Sequence, residues 1–73
     1  MMNFFSNLIP GTLWVYKNKY FNLTFMVIKK FENHKNSNYK CLILSNDRYY
    51  KFGELVYFHG PEMNQEKDSF ECL

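Results

Sequence analysis

Apolar and polar positions alternate in short runs along this chain, and the runs end at asparagine, serine, glycine or proline. A period of two is the signature of strands with one face buried. Residues 12–16 (TLWVY) read as a first strand, with Leu13 and Val15 on one face and Trp14 and Tyr16 on the other. The lysine- and asparagine-rich KNKYFN follows as a loop. Residues 23–32 form the longest strand candidate, in which Leu23, Phe25 and Val27 alternate with Met26 and Ile28. Both of its faces start apolar and its end turns polar, as when one end of a strand is covered and the other protrudes. NHKNSN, residues 33–38, is a turn by composition, and residues 39–45 make the next strand, again apolar on both faces.

Asn46-Asp47 is a two-residue hairpin signal, because these residues tolerate positive φ best among those with a side chain. Residues 48–52 return from it, Tyr50 and Phe52 on one face, Tyr49 and Lys51 on the other. Gly53 then marks a bulge or bend, residues 54–58 form a further strand, and HGPEMNQEKD is a loop opened by Gly60-Pro61. Residues 69–73 close as a short strand. Ahead of all this, NFFSNLIPG predicts one helical turn in which Phe4 and Phe5 pair with Leu8 and Ile9 at i,i+4 spacing. No longer helical period is present. The pattern predicts a core of Leu13, Val15, Phe25, Val27, Cys41, Ile43, Phe52 and Leu55.

Five or six short strands joined by hairpins and a glycine bend suggest an all-β domain spanning residues 1–73 and closed into a small barrel, since closure removes the edges of so apolar a sheet. From residue 10 to residue 73 this order resembles the SH3-like small barrels: a loop-rich first hairpin, long middle strands, the tight Asn46-Asp47 hairpin, the Gly53 bend and a short last strand. The resemblance implies a five-stranded SH3-like barrel, and an OB-like barrel is the alternative. The acidic-aromatic opening and tryptophan pair of peptide-binding SH3 domains are missing, as is the KGFGF-type strand of cold-shock domains.

Composition supports a packed domain, because 47% of the residues are hydrophobic and 21% aromatic, and aromatic side chains bury large areas. The chain has no alanine and one arginine, but eight lysines, nine asparagines and fourteen Phe or Tyr. These are residues of AT-rich codons, which points to an AT-rich genome such as that of a phage, a mobile element or a low-GC bacterium. The net charge of +2 is unevenly spread. Residues 1–53 set seven lysines and Arg48 against Glu32 and Asp47, a balance of +6; residues 54–73 set Lys67 against five carboxylates, a balance of −4. Cys41 and Cys72 are read as free buried thiols, because no secretory signal is visible and a cytoplasmic location is the expectation. No apolar run is long enough to span a membrane.

Catalytic and metal chemistries find little footing. Cys41, Cys72, His34 and His59 contain no close pair of the kind structural zinc sites use. Cys41, His59 and Glu54 could be drawn as a triad, but Cys41 stands beside Leu42-Ile43-Leu44, and a thiol in apolar surroundings is inert. The three glycines are scattered, which excludes a phosphate-cradling loop. Glu62, Glu66 and Asp68 read as a solvated acidic surface. The expectation is therefore a non-enzymatic protein with no cofactor and no metal.

Binding is the class that remains. Alternation makes one set of residues core and displays the other. On this reading Tyr49, Lys51 and Tyr57 form one displayed group, and Trp14, Tyr16 and Tyr20 beside Lys17 and Lys19 form a second. The leading expectation is a protein-binding module that occupies and inhibits a host protein such as a defence factor or enzyme. The rival is a single-stranded RNA or DNA binder, with Trp14, Tyr16, Tyr20 and Tyr49 as stacking platform and Lys17, Lys19, Arg48 and Lys51 on phosphates. Apolar surplus on both faces of the middle strands also predicts a homodimer.

Overall fold

The computed structural model describes residues 7–32 and 37–73. Phe4, Phe5 and most of the expected N-terminal turn lie outside the described residues, as do His34 and the centre of the 33–38 turn. Asn7 is helical, and a turn at Pro10-Gly11 leads into the sheet.

Five antiparallel strands form one sheet: β1 (Leu13–Lys17), β2 (Asn22–Glu32), β3 (Ser37–Ile43), β4 (Leu55–His59) and β5 (Phe70–Cys72), in the order β4-β3-β2-β1-β5. The all-β expectation holds. The sheet does not close: β4 and β5 are its two edges and share no ladder. Between them in sequence lie a helix, α1 (Gly60–Gln65), and a 3-10 turn, Lys67–Ser69. This corrects the loop expected over residues 59–68. Pro61 suits a helix's first turn, where no amide partner is lost, and Met63 goes into the core.

The core lies on one face of the sheet. Leu23, Phe25 and Val27 of β2, Tyr39, Cys41 and Ile43 of β3, and Trp14 of β1 are buried there, with Leu8 and Met63 covering them. Of the core expected from sequence, Phe25, Val27, Cys41 and Ile43 are in place. Leu13, Phe52 and Leu55 are exposed, and Val15 is half-buried. The reversal in β1 follows from its register. Trp14 pairs with Phe25 and Tyr16 with Leu23, so that parity faces the core and Leu13 and Val15 face out.

A bulge in β2 decides what happens at its polar end. The register slips between Val27 and Lys29, leaving Ile28 as the extra residue. Unbroken alternation would have sent Lys29 inward after Val27. The slip turns Lys29 out, and Lys30 takes the inner side, opposite Tyr39, with its ammonium 5.9 Å from that ring and 3.1 Å from Glu32.

Residues 48–52 are not a strand. A two-residue hairpin of the favoured type needs positive φ at both central positions, and no described non-glycine residue has it. The Asp47 carboxylate instead accepts the amides of Tyr49 (2.7 Å) and Tyr50 (2.8 Å), and Asn46 Oδ1 accepts that of Phe52 (2.9 Å). Side chains that take amides in this way compete with a ladder. Gly53, at φ +88°, then donates its amide to Ile43 O, and Ile43 donates back to Glu54 O, which turns the chain into β4.

Candidate functional site

The two faces of the sheet differ in what covers them. Leu8, α1 and the 18–21 and 44–54 loops pack over the inner face. No described element packs over the outer face, yet about half of its side chains are apolar. Pairing aligns them in a row that crosses the whole sheet. Leu13 is opposite Met26, Met26 opposite Leu42, and Leu42 opposite Leu55, while Leu73, just past the end of β5, donates its amide to Leu13 O and extends the row beyond β1. Ile28, Phe31 and Tyr57 add to it, with the rings of Phe31 and Tyr57 6.2 Å apart. Lys29 and Lys40 pair across β2 and β3 beside these rings, and the Lys29 ammonium stands 4.9 Å from the Phe31 centroid.

The residues expected to bind a partner are dispersed. Trp14, expected in an exposed platform, is only 4% accessible and gives its indole N–H to Thr12 Oγ1 at 2.9 Å. Tyr16 lies on the inner side, with its hydroxyl donating to Glu66 Oε1 at 2.9 Å. A hydrogen bond with Asn18 pulls its phenol pKa down. Burial, the Glu66 bond and the Glu66 charge outweigh that, and the net shift is upward. Lys17 ends β1 and pairs with Glu71 across the edge at 3.2 Å, both exposed. Tyr20 is the most exposed aromatic residue of the group, beside Lys19, in a turn whose amides at Tyr20 and Phe21 are held by Asn18 Oδ1. Tyr49 is exposed with its ring 5.3 Å from Phe21, and Lys51 is exposed in the same loop. Tyr57 stands on the outer face, 65% accessible, as does Lys17 by its place two residues after Val15.

A second feature lies on the inner side, where the sheet meets α1. Six aromatic rings form a closed circuit: Tyr16 to Phe21 (5.8 Å), Phe21 to Tyr50 (6.4 Å), Tyr50 to Phe58 (6.5 Å), Phe58 to Phe25 (5.2 Å), Phe25 to Phe70 (6.1 Å) and Phe70 back to Tyr16 (4.7 Å). All of these rings except the buried Phe25 line a cleft of about 200 Å³. Glu62, Glu66 and His59 complete the polar part of its wall.

Burial pushes the Cys41 thiol up to about 12, so its sulfur is a core atom. Cys72, expected to be buried, is exposed, and neither cysteine is in a disulfide. Among the described residues no three His, Cys, Asp or Glu side chains gather closely enough to hold a metal ion, and no helix is long and apolar enough to cross a membrane.

The outer row was not visible in the sequence because it exists only once five separate strands are in register. Its local signal was the apolar character of both faces in residues 23–28 and 41–44. The aromatic circuit gave no signal beyond the count of aromatic residues, since its members come from β1, β2, β4, β5 and two loops. No protein-family model, curated protein or solved structure matches the chain.

Proposed function

We propose that this chain is a non-enzymatic protein-binding module that docks a partner on the outer face of its sheet. The observation that carries the reading is the apolar row from Leu73 through Leu13, Met26 and Leu42 to Leu55, flanked by Phe31 and Tyr57. Leu13, Ile28, Phe31, Leu55, Tyr57 and Leu73 each keep more than a third of their surface open, and a contiguous exposed apolar patch is the mark of an interaction surface. Lys29 and Lys40 at one end call for carboxylates on the partner's rim. A second copy stacked with the same ends together would set lysine against lysine, which favours a different protein with an apolar centre and an acidic rim. The AT-rich residue usage makes a host protein bound by a phage or mobile-element product the natural form of this pairing.

The SH3-like reading is supported by the strand order: β2, β3 and β4 form a meander and β5 returns to β1. Helix α1 stands against β3 and β4 where a closing ladder would run.

The test uses Leu55→Lys with Tyr57→Lys, both at well-exposed positions. Tyr57→Lys adds a third lysine to the Lys29–Lys40 row, at a cost of a few tenths of a kcal/mol on so exposed a face, so the fold is kept. The double variant should lose a partner that the parent captures from a bacterial lysate, while its urea midpoint stays within about 1 M of the parent's. Retention of that partner, or no capture by the parent at micromolar bait, would overturn the assignment. Sedimentation equilibrium gives the dimer its own outcome: a parent that is dimeric and a variant that is monomeric would make a second copy the occupant.

Single-stranded nucleic acid is the second reading, favoured by one observation, the Lys29 and Lys40 ammonium groups beside the Phe31 and Tyr57 rings. Phosphate contacts would make affinity for an oligonucleotide fall steeply with salt. No binding at low salt would end that reading.

A further inference from the structure

We propose that the aromatic cleft on the inner side binds an organic cation, the ammonium or guanidinium head of a basic side chain. This goes beyond the outer-face reading and does not depend on it, since the two features lie on opposite sides of the sheet.

Four observations converge on it. The first is size. At about 200 Å³ the cleft is below the roughly 300–1,000 Å³ of sites that take whole drug-sized molecules, and it suits the end of one long side chain. The second is the wall. The rings of Tyr16, Phe21, Tyr50, Phe58 and Phe70 all line it. Each ring carries negative potential on its face and attracts a cation within about 6 Å of its centroid. Neighbouring rings are tilted by 40° or more, as in the 44° between Tyr16 and Phe70 and the 68° between Tyr50 and Phe58. No two neighbours in the circuit are stacked flat on one another.

The third observation is charge. Glu62 and Glu66 line the cleft and no lysine or arginine does. An anion would meet both carboxylates there, and a neutral ligand would gain nothing from them. The fourth is preorganisation. The Tyr16 hydroxyl, 2.9 Å from Glu66 Oε1, ties that carboxylate to the aromatic wall before any ligand arrives, which lowers the ordering cost of binding. Rings plus a nearby carboxylate is the arrangement that recognises alkylated ammonium groups and, by stacking, guanidinium.

Three soluble probes test this by NMR titration of the intact chain: choline, n-butylguanidinium, and 3,3-dimethylbutan-1-ol, the neutral isostere of choline. One or both cations should give saturable shifts of the Tyr16, Tyr50 and Phe70 ring protons at millimolar concentration, the range expected of so small a ligand. The alcohol should bind at least about ten-fold more weakly, as should choline to Glu62→Gln with Glu66→Gln. Both glutamates are exposed, so this variant tests charge without opening the core. The cation that binds more tightly identifies the side chain the cleft takes. Equal binding of choline and the alcohol, or no saturable shift with either cation, overturns the proposal. Leu55→Lys with Tyr57→Lys should bind the cations as the parent does, so a failed outer face and a failed cleft are told apart.

Discussion

Removing the indole of Trp14 tests how the whole sheet is oriented. The side chain is 4% accessible, packs in the central cluster with Phe25 and Leu23, and donates its N–H to Thr12 Oγ1. Truncating a buried aromatic residue to alanine costs about 3–5 kcal/mol. A domain of this length has a total stability of about 4–11 kcal/mol, at the usual value per residue. Trp14→Ala should therefore lose between a third of its stability and all of it. Trp14→Phe keeps one ring and loses the other together with the indole bond, for about 1–2 kcal/mol. Thr12 Oγ1 still donates to Ile9 O at 2.6 Å, so that hydroxyl is not stranded. The assay is urea unfolding followed by far-UV circular dichroism, because the sole tryptophan is gone. With an m-value of about 1 kcal/mol/M, the phenylalanine variant should drop its midpoint by about 1–2 M and the alanine variant by about 3–5 M, which leaves no folded baseline if the parent stands at the low end of its stability range. An alanine variant whose midpoint stays within about 0.5 M of the parent would refute the reasoning. Trp14 would then be a surface residue, Leu13 and Val15 would face the core, and the outer apolar row would not exist.

Three further predictions are independent of that one. A thiol reagent should titrate one cysteine in the native protein, the exposed Cys72, and the second, Cys41, only in denaturant; two fast thiols would place Cys41 at the surface. Cys41 has its pKa raised from 9.0 to about 12 by burial, so between those values the unfolded chain gives up a proton that the folded chain keeps. Stability from this group is whole below pH 9 and is lost as pH rises toward 12, by at most about 4 kcal/mol. Cys41→Ala should flatten the fall in urea midpoint across that window, and an unchanged slope would remove Cys41 as its cause. Gly53 has φ +88° with nothing within 4 Å of where a Cβ would stand, so Gly53→Ala should cost about 1–2 kcal/mol through backbone strain alone; a neutral result in thermal unfolding would mean that the turn adjusts.

How much of this could be read from the chain depended on whether the deciding interaction was local. Phe25, Val27, Cys41 and Ile43 were found because alternation within one strand is enough to put them together. In β1 both parities are apolar, and only the pairing of Trp14 with Phe25 decides which set is buried. Residues 48–52 have the aromatic composition of a strand, but Asn46 and Asp47 take three of the amides a ladder would have used. Helix α1 is six residues long, too short to show a period, and its one buried large side chain is Met63. The expected barrel needed a β4–β5 ladder that no stretch of sequence encodes. Of the seven residues expected to bind, Lys17, Tyr20, Tyr49, Lys51 and Tyr57 are on the surface, but only Lys17 and Tyr57 stand on strands where alternation puts them there. Trp14 and Tyr16 went inward with the β1 register.

The pairing of β5 with β1 also sets an order of events as the chain folds. Strands β2, β3 and β4 are neighbours in sequence as well as in space, with residues 33–36 and 44–54 as their connections, so they close over far shorter separations than β1 and β5. The edge pair of Lys17 with Glu71 joins residues 54 positions apart, and contacts of such separation form late, after the loop-closure entropy has been met. Phe70 arrives with that last strand and is the ring that links Phe25 to Tyr16. A nascent chain can therefore hold its meander together before the aromatic circuit exists. Because β5 has three residues and pairs on one side only, its fraying would reopen the circuit without unfolding the meander. Amide exchange at Glu71 and Cys72 should then be faster than in β2 and β3, which makes the short last strand the timekeeper of the cleft.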